Sequence, residues 1–433
     1  MGTYLTRTTA DATSNTTATF SWWIKRSNIV NNDAQDGNYM WCTAGPGGFS
    51  DANWLGCKLK PNDTLTVQTW YGGTNVNTNR LFRDVAAWYH IVVRIDTSQS
   101  TAADRIRIYI NGDQQTSFAT ATYPSQAHDY NCLGDAGAKH YVGCAISGSV
   151  GSPTPYDFTN GYMADFIFSS GYSYAPTSFG ETDSTTGIWK PKTFTGSYGN
   201  NGFYLQFKNA GSLGTDTSGE GHNLTVNNAG TNAQVVDTPS NNFATFNPIE
   251  ISGGTFSKGN LRHVTSGTDL DAAVSTIALT GAKWYAEFKA ISKTGNYYNF
   301  GVCSNATNMN DNGVTYRSDG KIYQGGNQQQ SSLATIADND IVSVMYDTSN
   351  GNVTFKKNGT DVGSAVAIPD LTRSVFFKSG GNGGTNATAE ANFGNPPFSI
   401  SSGNSDANGF GNFEYAVPSG HFALCTKNLN TYG

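Results

Sequence analysis

The stretch WYHIVVRIDTSQSTAADRIRIYINGDQ, residues 88–114, decides the fold of the first half of the chain. Ile106, Ile108 and Ile110 alternate with polar or aromatic residues, and a period of two buries one face of a β-sheet. Asn111-Gly112 follows at once, and this dipeptide supplies the positive φ angles that a tight hairpin turn needs. The stretch therefore predicts two antiparallel strands that are joined by a polar loop and closed by a hairpin turn.

The same alternation recurs along the whole chain, while helical periodicity is almost absent. Core-facing stripes are predicted at Phe20-Trp22-Ile24, Tyr162-Ala164-Phe166-Phe168, Phe203-Leu205-Phe207, Trp284-Ala286-Phe288, Val353-Phe355 and Val375-Phe377. The residues between them, such as Ser21, Trp23 and Lys25, are expected on solvated faces. Asn358-Gly359 and similar dipeptides beside these runs predict further hairpins. The pattern predicts an all-β protein.

Composition excludes several other classes of protein. Charged residues make up 13% of the chain and aromatic residues 12%, whereas disordered chains are rich in charge and poor in aromatics. The 50 glycines follow no three-residue period, which excludes collagen. The net charge of −6, with no basic patch, argues against a nucleic-acid partner.

The sequence offers no signal for a membrane, for secretion or for zinc. No apolar run approaches the roughly 20 residues of a membrane helix, and the N-terminal residues lack the pattern of a signal peptide. We therefore expect synthesis in a cytoplasm without export by the general secretory route. The six cysteines form no Cys-x-x-Cys pair, so we expect free thiols in β cores, with disulfides formed outside a cell left open.

A change of composition divides the chain. Residues 209–248 are rich in Gly, Asn, Thr and Ser, and residues 341–359 repeat the earlier order of strand, Asp-led turn, strand and Asn-Gly. We predict a first β-sandwich over residues 1–208, a linker over 209–249, and a second β-sandwich with a C-terminal extension over 250–433.

Short motifs resemble two known domain types. Residues 88–114 and GYMADFIF (161–168) are similar to the central hairpin and closing strand of laminin-G-like, concanavalin A-like sandwiches. DTSNGNVTFKKNGT (347–360) resembles the hairpin of SPRY domains, and GAKWYAEFKA (281–290) and ANFGNPPF (391–398) support that resemblance. Together they imply two concanavalin A-like antiparallel β-sandwich (jelly-roll) domains in tandem.

Three longer phrases resemble virion-associated proteins of marine bacteriophages, in which a laminin-G-like domain often precedes a SPRY-like domain. They are residues 178–207, 237–248 and 417–433. The resemblance implies a non-enzymatic protein of the virion exterior, made in the host cytoplasm, either a capsid-decorating knob or a tail fibre or tip component. Its partners would be other phage virion proteins, of the capsid or tail, and host-surface polysaccharide, with no nucleic acid and no membrane insertion.

The alternative is a soluble carbohydrate-binding protein or a glycoside hydrolase of concanavalin A-like fold. A hydrolase needs two carboxylates about 5–9.5 Å apart. Only six glutamates exist, none within residues 1–180, and Glu181-Thr182-Asp183 lacks the second glutamate of the family motif. His90 on a predicted strand is expected to be a packed structural residue. We predict no enzymatic activity, and Asp165 and Glu287 are the carboxylates whose replacement tests this.

The resemblances also imply binding loops. Laminin-G-like domains often bind calcium at one rim, and Asp157 with Asn160, or Asp129 with Asn131, are the candidates by composition. The alternative, in which these are plain turn residues, stays open, and we expect no cofactor other than this possible Ca²⁺.

Aromatic and polar side chains in predicted loops are the candidates for partner recognition, because this mixture suits adaptable contacts and stacking on sugars. These candidates are Trp70, Tyr71, Tyr297, Tyr298, Tyr316, Arg317 and Asp319. The alternative is that the tyrosines only cap the sandwich.

Overall fold

The computed structural model describes residues 2–27, 29, 38–149, 152–230, 233–266, 271–295, 297–308, 310–382 and 386–433. The chain forms two compact units, Met1–Gln234 and Val235–Gly433. Each unit consists of β-sheets with very little helix, which confirms the predicted all-β fold. Within the described residues, no helix is long and apolar enough to cross a bilayer.

The first unit contains eighteen strands and three short helical turns in its described residues. The strands are β1 (Tyr4–Thr8), β2 (Thr17–Arg26), β3 (Asn38–Ala44), β4 (Trp54–Leu59), β5 (Thr64–Thr69), β6 (Asn75–Leu81), β7 (Tyr89–Asp96), β8 (Ile106–Ile110), β9 (Asp113–Gln114), β10 (Phe118–Thr122), β11 (Lys139–Val142), β12 (Ala145–Ser149), β13 (Ser152–Tyr156), β14 (Gly161–Ser170), β15 (Gly180–Thr182), β16 (Trp189–Pro191), β17 (Phe203–Leu205) and β18 (Thr225–Asn227). The helical turns are α1 (Ala102–Arg105), α2 (Asn131–Gly134) and the 3₁₀ turn Pro176–Ser178.

Two antiparallel sheets of this unit form a sandwich. The larger has the order β10-β6-β5-β4-β3-β11-β1-β18, and the smaller has the order β17-β14-β2-β7-β8-β9. The predicted stripe Phe20-Trp22-Ile24 faces the core between them, where Phe20 stacks on Trp41 with ring centroids 3.8 Å apart. Asn111 and Gly112 both have positive φ, which confirms the predicted turn after β8.

The outer face of the smaller sheet is covered, contrary to the expectation that it would be solvated. Ser21, Trp23 and Lys25 are all buried. The 3₁₀ turn, the hairpin β15–β16 and the chain after it bring Phe179 and Phe194 against Val92 of β7. The prediction of a wet face was wrong because a non-consecutive segment supplies this cover, and alternation within one strand carries no signal for it.

The segment predicted as a linker, 209–249, is divided between the two units. β18 pairs with β1 and extends the larger sheet. The carboxylate of Asp216 accepts hydrogen bonds from the backbone N–H groups of Tyr204, Ser218 and His222, at 2.8–2.9 Å. Although burial raises it, the pKa of Asp216 lies below its usual value because of these donors. The polar, glycine-rich composition of this segment predicts a linker, but the hydrogen bonds of Asp216 hold its first part in a defined conformation.

The second unit contains fifteen strands and one helix in its described residues. They are β19 (Phe246–Ile251), β20 (Thr255–Ser257), β21 (Arg262–Val264), β22 (Ala272–Ser275), β23 (Lys283–Lys293), β24 (Tyr297–Cys303), β25 (Val314–Arg317), β26 (Lys321–Gln324), β27 (Asn327–Gln330), β28 (Ile341–Asp347), β29 (Asn352–Lys357), β30 (Thr360–Ala367), β31 (Phe376–Asn382), β32 (Ala387–Asn392), β33 (His421–Ala423) and α3 (Thr426–Tyr432).

Its two sheets also form a sandwich. One has the order β19-β22-β31-β24-β25-β26-β27, and the other has the order β20-β21-β32-β23-β28-β29-β30. The predicted stripe Trp284-Ala286-Phe288 faces the core, and Phe288 stacks on Phe300 at 5.3 Å. Asn358 and Gly359 both have positive φ, which confirms the predicted hairpin between β29 and β30.

The C-terminal segment covers the outer face of the sheet that contains β23. There the ring of Tyr285, on β23, meets the ring of Phe413 edge-on at 4.9 Å. β33 adds to β23 as a parallel strand.

 This outer face is the side of β23 and its neighbours that is turned away from the core. The carboxylate of Glu287, on the same strand, accepts the backbone N–H groups of Glu414 at 2.9 Å and Tyr415 at 2.8 Å. Side chains of the sheet therefore hold the irregular segment in place.

Glutamine side chains close one edge of the second sandwich. The side-chain amide of Gln330 donates to the carbonyl of Ser364 at 2.8 Å and accepts from the N–H of Ser364 at 2.9 Å. Gly363 allows this approach, because it has a φ of 66° and a Cβ there would lie 2.5 Å from the Gln330 amide oxygen. Gln330 thus occupies hydrogen-bonding groups of the edge strand β30 that another strand could otherwise use.

Candidate functional site

The predicted residues Tyr297, Arg317 and Asp319 come together on the outer face of the sheet that contains β24, β25 and β26. The guanidinium of Arg317 lies between two tyrosine rings, 4.1 Å from the centroid of Tyr297 and 4.3 Å from that of Tyr323. Its Nε and Nη2 atoms donate to the two carboxylate oxygens of Asp319 at 2.9 and 2.6 Å. This arrangement, which we call the Arg317 cluster, fixes a flat cationic group between two aromatic faces.

Two further residues of this cluster were not predicted from the sequence. Tyr323 supplies the second ring, and Lys321 places its Nζ atom 3.1 Å from Asp319. Partial burial raises the pKa of Asp319, but its hydrogen bonds from Arg317 and Lys321 hold that pKa below the usual value. Alternation would have found both residues, because Ile322 between them faces the core.

Tyr298 and Tyr316 do not belong to this surface, and their prediction as binding residues was wrong. Both side chains are fully buried in the core of the second sandwich. The hydroxyl of Tyr298 donates to Asp338 at 2.9 Å, and that of Tyr316 donates to the carbonyl of Ala334. Each alternates with its outward-facing neighbour, since successive residues of a strand point to opposite faces of the sheet.

The structure places Trp70 and Tyr71 at the turn between β5 and β6, with different exposure. Trp70 is half-buried and stacks on Phe49 at 4.6 Å, so it supports the loop. The side chain of Tyr71 is 74% exposed, and its backbone N–H donates to the carboxylate of Asp51 at 2.9 Å. The ring is therefore presented to solvent from an anchored backbone.

The calcium candidates lie close in sequence but differ in environment. The carboxylate of Asp157 is on a buried residue, whereas Asn160 is exposed and its amide oxygen accepts the hydroxyl of Ser27 at 2.8 Å. Calcium takes six to eight oxygen ligands. In the part of the chain that the structure describes, no three or more His, Cys, Asp or Glu side chains form a group that could hold a metal ion. Calcium binding at this position stays a prediction.

One serine–histidine pair is held in a way that opposes nucleophilic catalysis. The Nε1 atom of Trp189 is 2.9 Å from Nδ1 of His90, and an indole N–H can only donate. A neutral His90 then carries its proton on Nε2, which donates to the hydroxyl of Ser21 at 2.9 Å. No lone pair of the imidazole is left to accept a proton from Ser21, and burial lowers the pKa of His90 to about 3. His90 is a buried residue, as predicted.

Asp165 and Glu287, the two carboxylates whose replacement tests for hydrolysis, lie in different units, and both form hydrogen bonds within the protein. Asp165 accepts the hydroxyl of Tyr204 at 2.6 Å, and burial raises the pKa of Asp165. Glu287 accepts the hydroxyl of Tyr285 at 2.9 Å in addition to its two backbone donors, and burial raises its pKa as well. These contacts are those of structural carboxylates.

A groove of about 310 Å³ opens at the edge of the first sandwich, beside β8 and β10. Its lining includes Ile106, Phe118 and Tyr123, and the charged side chain in it, Arg107, is paired with Asp104 at 2.7 Å. The groove therefore brings no pair of carboxylates together.

Comparison with known families supports the domain types. Residues 2–150 match the model of the concanavalin A-like lectin/glucanases superfamily of laminin-G type, and residues 283–395 match the model of the SPRY domain. The chain is therefore a tandem of two concanavalin A-like β-sandwiches, the first similar to laminin-G-like domains and the second to SPRY domains. No curated protein matches it significantly.

Three solved structures are similar to parts of this chain. The SPRY domain of human HERC1 is 12% identical, with 34% of this chain and 96% of that chain covered and a TM-score of 0.29. The native heptameric SAP-like pentraxin from Limulus polyphemus is 14% identical, with 40% and 71% covered and a TM-score of 0.30. The TRIM65 PSpry domain is 14% identical, with 34% and 91% covered and a TM-score of 0.27.

Proposed function

We propose that this protein is a non-enzymatic recognition protein, in which two β-sandwiches present small aromatic surfaces to a partner. The observation that carries this proposal is the loop of Tyr71, whose ring is 74% exposed while its backbone is anchored to Asp51. An aromatic ring held in this way gives up little conformational freedom when it stacks on a sugar or packs into a partner.

The proposed setting is the exterior of a bacteriophage virion, where the protein would serve as a capsid-decorating knob or as a tail fibre or tip component. Its proposed partners are other virion proteins and the polysaccharide of the host surface. This part rests on the resemblance of residues 178–207, 237–248 and 417–433 to virion-associated proteins. The comparison with the concanavalin A-like lectin/glucanases superfamily is consistent with a glycan partner.

Binding is tested with the purified full chain on surface polysaccharides of candidate host bacteria. Retention should fall strongly in Tyr71→Ala, whereas Tyr172→Ala should bind normally. Tyr172 is the matched control, because it is also an exposed tyrosine of the first unit and stacks on Tyr174 at 5.6 Å. Equal retention of the two variants would contradict a role for Tyr71, and release of reducing ends from the polysaccharide would contradict the non-enzymatic proposal.

The setting is tested separately by mass spectrometry of purified phage particles from the source of this sequence. The protein should be present at a constant ratio to the major capsid protein. Its presence in the lysate but absence from particles would refute the virion proposal and leave the soluble carbohydrate-binding alternative.

A further inference from the structure

The Arg317 cluster retains hydrogen-bond donors that the protein does not use. Asp319 accepts from the Nε and Nη2 atoms of Arg317, and the Nη1 group has no hydrogen-bond partner among the described residues. The two tyrosine rings prevent the guanidinium from turning away, since they lie 4.1 and 4.3 Å from it. Arg317 therefore keeps two N–H groups in a fixed direction.

A buried amide lies beside this arginine. Asn299 is directly opposite Arg317 in the pairing of β24 with β25, so both side chains are on the outer face of the sheet. Asn299 is only 2% exposed, yet its side-chain nitrogen has no hydrogen-bond partner. Buried polar groups are nearly always paired, and an exception requires an explanation. An acceptor supplied by a ligand would provide that partner.

The charge around the cluster favours an anionic ligand. Lys321 lies 3.1 Å from Asp319, and the Nζ atom of Lys293 lies 3.4 Å from the hydroxyl of Ser318 in the same hairpin turn. Within the cluster itself, two cationic groups, Arg317 and Lys321, share the one carboxylate of Asp319. The whole chain has a net charge of −6, so a locally positive surface is an exception.

We propose that the Arg317 cluster binds a carboxylate-bearing sugar of an acidic polysaccharide, which rests on the proposed recognition function. The carboxylate would accept from the Nη1 group of Arg317 and from the amide of Asn299, while Tyr297 and Tyr323 flank the sugar ring. A planar carboxylate suits a guanidinium held in a plane between two rings, and charge-assisted hydrogen bonds are the strong ones.

The test measures binding of an oligogalacturonate to the full chain by titration calorimetry. Arg317→Gln should weaken binding by about tenfold or more, since it removes a charge-assisted contact. Arg373→Gln is the matched control, because Arg373 makes the same two-oxygen pair with Asp311, at 2.5 and 2.6 Å, with no aromatic ring contact in the described residues. Lys321→Gln, at a more exposed position, should weaken binding too and guards against misfolding of the arginine variant.

The ligand class is tested with the same oligosaccharide after reduction of its carboxyl groups, and with oligoglutamate. Loss of binding to the reduced sugar and to oligoglutamate would support the proposal. Equal binding of the reduced sugar, or equal affinity of Arg317→Gln and Arg373→Gln, would overturn it, and tighter binding of oligoglutamate would assign the site to an acidic peptide instead. None of these results depends on Tyr71, so retention of polysaccharide through Tyr71 would preserve the proposed function even if this site failed.

Discussion

Replacing Glu287 with alanine should release the C-terminal segment from the second sandwich. The buried carboxylate of Glu287 accepts the N–H groups of Glu414 and Tyr415 at 2.9 and 2.8 Å, the hydroxyl of Tyr285 at 2.9 Å and the amide of Asn392 at 3.3 Å. In Glu287→Ala the two side-chain donors have other acceptors: the hydroxyl of Tyr285 can turn to donate to that of Ser343 at 2.9 Å, and the amide of Asn392 already donates to the carbonyl of Asn412. The two backbone donors lose theirs.

The magnitude follows from those two donors. A buried donor left without an acceptor costs about 1–3 kcal/mol. Both bonds are only partly buried, so the lower half of that range applies, and Glu287→Ala should lose about 2–4 kcal/mol of unfolding free energy. Glu287→Gln keeps one acceptor oxygen but turns an NH₂ group toward the other donor, and should lose about 1–2 kcal/mol.

The assay is hydrogen exchange of the backbone amides, followed by mass spectrometry of the peptides that contain Glu414 and Tyr415. Exchange there should speed up by about 30-fold or more in Glu287→Ala, because about 2 kcal/mol corresponds to that factor. Glu181→Gln, an exposed glutamate of the first unit, is the control and should leave these peptides unchanged. Unchanged protection of Glu414 and Tyr415 in Glu287→Ala would refute the assignment of this carboxylate as the anchor.

Two further predictions concern stability. Acid should destabilise the first unit, because burial lowers the pKa of His90 and of His140 to about 3 in the folded protein. The stability that these two histidines contribute is complete above their unfolded pKa of 6.5, and it is lost as the pH falls toward 3. At about pH 5 each should cost about 2 kcal/mol, seen as a lower thermal midpoint than at pH 7, and an unchanged midpoint would contradict this. Gly363→Ala should cost about 1–2 kcal/mol more than Gly409→Ala in chemical denaturation, because both have positive φ but only Gly363 would push a Cβ against Gln330. Equal losses in these two variants would mean that the Gln330 contact contributes nothing.

The strands and hairpins could be predicted because their signals are local. Asn111-Gly112 and Asn358-Gly359 lie at turns with two positive φ angles, and the stripes on β2, β23 and β29 face the two cores. The stripe predicted at Tyr162-Ala164-Phe166-Phe168 was wrong in its first half, because a register shift in β14 after Ala164 brings Met163 against the core instead. The covered outer faces could not be predicted in this way. Trp23 is buried by contacts with His90, and His90 in turn by Trp189, almost one hundred residues further along the chain. No local pattern encodes a cover that comes from so far away.

The candidate site was predictable in part, and its errors have a simple cause. Composition alone groups the tyrosines of loop-like segments together, although Tyr297 and Tyr298 are consecutive in β24 and must point to opposite sides of the sheet. Strict alternation, anchored on Phe300 in the core, would have placed Tyr298 inside and Tyr297 outside. The position of Tyr323 beside Arg317 depends in addition on the register of β25 with β26, which a single sequence does not determine.

Internal hydrogen bonds occupy several of the acidic side chains. Three carboxylates each accept four hydrogen bonds and hold irregular segments in place: Asp216 holds the loop after β17, Glu287 holds residues 414 and 415, and Asp406 holds the turn that follows it. Asp406 accepts from the backbone of Asn408, Phe410 and Ala423 and from a side-chain amide. A carboxylate whose lone pairs are filled by internal donors has little capacity left for acid–base chemistry on a substrate. In both sandwiches, therefore, these acids serve the backbone, and the proposed recognition rests instead on the exposed ring of Tyr71 and on the partly buried guanidinium of Arg317.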